Sequence, residues 1–166
     1  MEFLKSRINI LYFCLYLTER TLHFAFNKIN IFLLIYKIPS VKKRMKNKYG
    51  IENPLEYYNN FWTNKEYGFS QNFVFGAFLV IISILILTLG IHINKLFELK
   101  IVFESYHLII LILVSFILSN LLVYNNNTYL KYFEKFEKWS IKRKIMNVVL
   151  SFLFIFFIFR LFILSI

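Results

Sequence analysis

The sequence predicts an all-α fold: a small polytopic membrane protein with three transmembrane helices plus amphipathic interfacial helices. Three observations lead there. Of its 166 residues, 58% are hydrophobic and 17% charged, against roughly 45–50% and about 25% in an average soluble domain. The apolar residues gather in uninterrupted stretches rather than in stripes. The basic excess, 20 Lys and Arg against 9 Glu for a net charge of +11, falls between those stretches rather than within them. Such a composition excludes disorder, which needs low hydrophobicity. A single Cys (Cys14) excludes an intramolecular disulfide and a cysteine metal cage.

The first 44 residues form an amphipathic N-terminal segment. Residues 8–17 are apolar but too short to span. Beyond them Glu19, His23, Asn27 and Asn30 share one face at 100° per residue, with Leu22, Ala25, Phe26, Ile29 and Leu33 roughly opposite. That pattern predicts a helix lying in the membrane interface, with Lys28 on its wrong side. The alternative is a fourth spanning helix over 22–38, which must bury Lys28 near its middle at about 2.5–3.5 kcal/mol. Met45 opens MKNKYG and offers an internal start, so the segment before it also reads as an upstream extension.

Residues 45–72 form a cytoplasmic juxtamembrane segment. Pro39-Ser40 stops the preceding helix, and VKKRMKNK carries five basic residues in eight. Asn53-Pro54-Leu55-Glu56 then places an N-cap Asn, a Pro at the first helical position and a Glu at the third. A short helix over 54–67 follows, with Gly68 as its stop and Leu55, Tyr58 and Trp62 on one face, at the headgroup level or docked on a partner.

Residues 73–166 form the transmembrane region. The stretches 73–93 and 105–124 contain no Asp, Glu, Lys or Arg, and 145–166 is interrupted only by Arg160. Each approaches the 20 or so residues a spanning helix needs and lacks the two-residue alternation of barrel strands. Between the second and third, 128–144 reads as a basic amphipathic helix. Lys131, Lys135, Lys138 and Lys142 line one side, and Tyr129, Tyr132, Phe133, Phe136 and Trp139 the other. Glu134 and Lys138 are spaced as a favourable i,i+4 pair. With Arg143 and Lys144, those four lysines are the candidate contacts for anionic lipid.

Orientation follows from counting. Residues 1–72 carry 11 Lys and Arg, 125–144 carry 6, and 94–104 carry 2. The positive-inside bias therefore places the first two segments in the cytoplasm, or in the matrix of an organelle, and the third on the opposite side. That placement accounts for the charge without nucleic acid, for which there is no motif. Many Phe, Ile, Lys and Asn against 2 Ala and 4 Gly point to an AT-rich source: the inner membrane of a bacterium, or alternatively of an organelle.

Few residues carry chemistry. His92, Glu98, Glu104 and His107 lie near one mouth of the first two spans, and Arg160 snorkels to the same side or pairs with Glu98 or Glu104. Together they form a candidate outer-face polar cluster, without the spacing of a metal motif. Ser115, Ser119, Asn120 and Asn147 are candidates for interhelical packing. Motifs for hydrolysis, phosphate or dinucleotide binding are missing. No catalytic residue, metal or cofactor is assigned. The expected function is a non-catalytic integral membrane protein, an accessory or structural subunit with protein partners in the membrane or with copies of itself. The alternatives are an oligomeric, holin-like pore with Ser83, Thr88, Ser115, Ser119 and Asn120 towards its lumen, and a membrane enzyme using the outer-face cluster.

Overall fold

The computed structural model describes residues 2–99, 101–102 and 104–165. Lys100, one of the two basic residues of the 94–104 loop, and Ile166, the end of the third apolar stretch, lie outside them. The protein is all-helical, 86% helix, with no strand among the described residues. Among the described residues seven α-helices follow in order: α1 Glu2–Asn27, α2 Pro39–Tyr49, α3 Pro54–Trp62, α4 Phe69–Leu96, α5 Ser105–Ser119, α6 Thr128–Glu137 and α7 Ile141–Ser165. Three helical stretches among the described residues are long and apolar enough to cross a membrane: α4, the stretch from α5 through α6, and α7.

The chain divides into two compact units, residues 1–15 with 75–166, and residues 16–74. The core of the first is aromatic. Tyr12, Phe13, Phe78, Phe133 and Phe136 are at most 1% exposed. The Phe133 ring meets Phe13 edge-on at 5.1 Å and Tyr129 at 5.6 Å, and Tyr12 meets Phe78 edge-on at 5.3 Å. Edge-to-face pairs of this kind add to the burial of apolar area. The hydroxyls of Tyr12 and Tyr124 are hydrogen-bonded, and burial followed by the two neighbouring tyrosines pushes the Tyr12 hydroxyl well above its ordinary value.

Several boundaries differ from the sequence expectation, each for a local reason. Residues 8–17, too short to span alone, are not a separate element. They belong to one 26-residue helix whose Asn9, Leu11, Tyr12, Phe13 and Cys14 are core residues of the first unit. A continuous helix over 22–38 does not form, because α1 ends at Asn27. Asn30 then caps a 3₁₀ turn, Ile31–Lys37, by accepting from the Phe32 N–H. The basic run after it is helical. Pro39 occupies the first turn of α2, and Gly50 closes it in the left-handed region at φ 68°.

Asn53 caps α3 and its Oδ1 accepts from the Glu56 N–H at 3.3 Å. The helix stops at Trp62 rather than 67, because Thr63 turns out of helical geometry at φ −92°, ψ 14°. Gly68 comes six residues after that stop and immediately before α4. A Cβ there would lie 2.4 Å from the Asn64 carbonyl oxygen and 2.5 Å from that of Trp62, so close backbone approach makes it a glycine.

The second apolar stretch is α-helical only to Ser119. It widens to a π turn at Asn120–Tyr124, and Asn126 and Asn127 then adopt left-handed φ values of 55° and 54°. The buried Asn9 amide donates to the Leu122 carbonyl in that π turn at 3.0 Å, so a backbone acceptor of the irregular segment is satisfied. The expected helix over 128–144 is two helices. Lys138 ends α6, and α7 starts at Ile141, before the expected 145, with the Ser140 hydroxyl accepting from the Arg143 N–H at 3.4 Å. Lys138 thus lies past the last turn of α6, and it forms no ion pair with Glu134 among the described residues.

Candidate functional site

The expected outer-face residues are dispersed in their roles. The His92 ring is hydrogen-bonded to the Thr88 carbonyl of its own helix at 2.9 Å. Glu104 is the N-cap of α5, and its backbone N–H donates to His107 Nδ1 at 2.9 Å. Glu104 and His107 border one cavity of about 380 Å³ with Leu87, Ile91 and Phe162. His92, Glu98 and Arg160 are not part of that lining. Glu98 takes a left-handed φ of 49° in the turn after α4. Arg160 is exposed and forms no ion pair among the described residues. No three His, Cys or Glu side chains among the described residues come together in a way that could hold a metal ion.

The packing candidates divide in two. Ser115 and Ser119 are buried. The Ser83 hydroxyl donates to Ser115 Oγ at 2.9 Å, and Ser115 donates to the Leu111 carbonyl at 2.7 Å. Asn120 and Asn147 turn back on their own helices, donating to Phe116 O at 3.0 Å and Arg143 O at 2.8 Å. The Thr88 hydroxyl likewise donates to Ile84 O at 2.7 Å. Among the basic candidates, Lys131, Lys135, Lys138 and Lys142 are exposed. The Arg143 guanidinium lies 4.4 Å from the Trp139 ring centre, and Lys144 Nζ donates to the Glu137 carbonyl at the end of α6.

The most developed polar site lies in the second unit, where α1 meets α3. Its residues are legible as two separate faces in the sequence, Glu19-His23-Asn27-Asn30 and Leu55-Tyr58-Trp62. The polar face does not simply look to water. His23 is 8% exposed and stacks on Trp62, with ring centres 5.1 Å apart and planes within 12°. The Asn27 amide donates to Asn59 Oδ1 at 2.6 Å and contacts His23 Nε2 at 2.9 Å. His23 Nε2 also lies 3.2 Å from Asn59 Oδ1, so a ring protonated at Nε2 donates to Asn59, and one protonated at Nδ1 accepts from Asn27. The Trp62 indole N–H donates to Glu19 Oε1 at 3.2 Å. The other carboxylate oxygen, Oε2, is buried without a hydrogen-bond partner.

Beside this network is an open cavity of about 590 Å³, bordered by Glu19, Phe26, Tyr58, Trp62, Phe69 and Asn72 among others. Tyr58 lies 5.9 Å from the Tyr36 ring, and burial, then Tyr36, raises its hydroxyl above the ordinary tyrosine value. A carboxylate between aromatic walls is suited to a cation: the ring faces are electron-rich, and the carboxylate supplies the counter-charge. Sequence periodicity finds each half of this site. It does not find their pairing, which joins residues 43 positions apart.

Comparison with protein-family models, with curated proteins and with solved structures finds no match.

Proposed function

We propose that this chain is a non-catalytic integral membrane protein, a small accessory or structural subunit of a membrane complex. The observation that carries this reading is how little of the apolar helices the chain itself covers. Within the most apolar stretch of each of the three candidate spans, only 17–22% is buried. On α5, Leu108, Ile109, Ile112, Leu113, Phe116 and Ile117 are all exposed. Lipid covers such a surface, and so do the helices of partner subunits, which associate through close packing rather than a hydrophobic driving force. The polar groups within these helices support the same reading. Ser83 and Ser115 bond each other, while Thr88, Asn120 and Asn147 bond their own backbones.

In this reading the 11 basic residues of 1–72 and the 6 of 125–144 face the cytoplasm or an organelle matrix. The exposed lysines of 131–142 contact anionic headgroups, each worth about 1 kcal/mol near the surface. The membrane is a bacterial inner membrane or its organellar counterpart. The test is extraction of the native protein in mild detergent, with mass spectrometry of what accompanies it. Co-purification at fixed stoichiometry is expected, and a strictly monomeric protein overturns the subunit reading.

A further inference from the structure

We infer that the Glu19 cavity binds a primary ammonium group. Two features of the cavity favour a ligand of that kind. First, Glu19 Oε2 is buried without a partner while Oε1 is held by the Trp62 indole, so the carboxylate is fixed in direction with one acceptor unused. A buried, unsatisfied carboxylate oxygen is costly, and it demands a donor. Glu19 forms no ion pair among the described residues, so that donor does not come from a Lys or Arg of the second unit. Second, the walls are aromatic, with Phe26, Tyr58, Trp62 and Phe69 on the border. A ring wall attracts a positive charge and cannot satisfy a neutral polar donor nearly as well.

The donor requirement selects within the cations. A primary ammonium carries three N–H groups: one is directed at the Glu19 carboxylate on the cavity border and the others face the open side. A quaternary ammonium has none and makes no hydrogen bond to the carboxylate. A volume of about 590 Å³ suits a small molecule or a lipid headgroup with the start of its chain. The same chemistry thus has two sources, a phosphoethanolamine lipid headgroup or a free organic amine. Only the lipid source rests on the membrane reading, and the site itself does not depend on any partner subunit.

The experiment uses the full chain carrying Trp139→Phe, which leaves Trp62 as the sole indole, in a sugar-headgroup detergent and an amine-free buffer. Hexylammonium, hexanol and hexyltrimethylammonium are each titrated against Trp62 emission. Hexylammonium should change the emission saturably, and the other two should need about tenfold higher concentration or more, as expected for loss of a hydrogen bond to a charged group. Glu19→Gln should weaken hexylammonium by a similar factor. Should that variant not fold, the comparison of the three probes on the Glu19 chain decides alone. Equal potency of hexanol overturns the proposal, equal potency of hexyltrimethylammonium overturns the donor argument, and absence of a saturable change overturns both. Reconstitution in bilayers with and without phosphoethanolamine lipid separates the sources. Weaker apparent binding of hexylammonium in the former identifies the headgroup, and equal binding in both identifies a free amine. A failure here leaves the subunit reading intact, because co-purification is read independently.

Discussion

Replacing Phe133 with Ala should remove the centre of the aromatic core. The side chain is fully buried, with rings of Phe13, Tyr129 and Tyr12 at 5.1, 5.6 and 5.9 Å. Truncating a buried Phe to Ala costs about 3–5 kcal/mol through lost transfer energy and the cavity left behind. In a chain of this size each kcal/mol moves the melting temperature by roughly 2–4 °C, so the expected drop is roughly 6–20 °C. The reference variant is Phe152→Ala on α7, where the ring is 44% exposed and the change should stay within about 2 °C. The assay is thermal unfolding in detergent, followed by near-UV dichroism. A cycle adding Phe13→Ala should give a coupling of about 0.5–1.5 kcal/mol for the edge-on pair. Equal melting of the Phe133 and Phe152 variants, or strict additivity with Phe13→Ala, would refute the assignment of α6 to the core.

Three further outcomes are expected. Ser115→Leu forces a large side chain against Ser83, at a position with no exposed surface, and should destabilise by about 1–3 kcal/mol; a smaller loss with Ser115→Ala in the same melting assay separates overpacking from the lost hydrogen bond. Tyr58 has a raised hydroxyl pKa in the folded protein. Its stabilising contribution is therefore complete below the ordinary value of 10.0 and is lost as pH rises through the folded value; melting followed into alkali should fall less steeply for Tyr58→Phe. Cys14 is 1% exposed, and burial raises its thiol pKa despite the opposing hydrogen bond with Ser151, so the parent protein should resist an impermeant maleimide. Lys142→Cys and Glu98→Cys should then label from opposite sides of the membrane, and labelling from one side would exclude the proposed topology.

The boundary shifts show where local sequence signals stop. Asn53-Pro54 marks the start of α3 because capping involves only neighbouring residues. The same local logic misses the break between α6 and α7. The lysine and aromatic faces of 128–144 keep their register through Lys138, and the Ser140 cap competes with that periodicity. Asn120, read as glue between helices, bonds its own helix because the Phe116 carbonyl is within reach of its amide at 3.0 Å. Such intrahelical bonds are always available, whereas an interhelical partner depends on how the helices pack.

The amino-acid sequence by itself determined the helical class and the three apolar stretches. Both follow from sums over contiguous residues, since hydropathy, capping and proline act within a turn or two of chain. What only the tertiary structure decided is which faces meet. The apolar run at residues 9–14 enters the core because Tyr12 and Phe13 find the rings of Phe78, Phe133 and Phe136 far along the chain. Glu19 meets the Trp62 indole across 43 positions, with one oxygen of the carboxylate left without a donor. Periodicity names the residues on a face. Their partners depend on long-range packing, where every apolar face of similar width is an equally good match until the chain is folded.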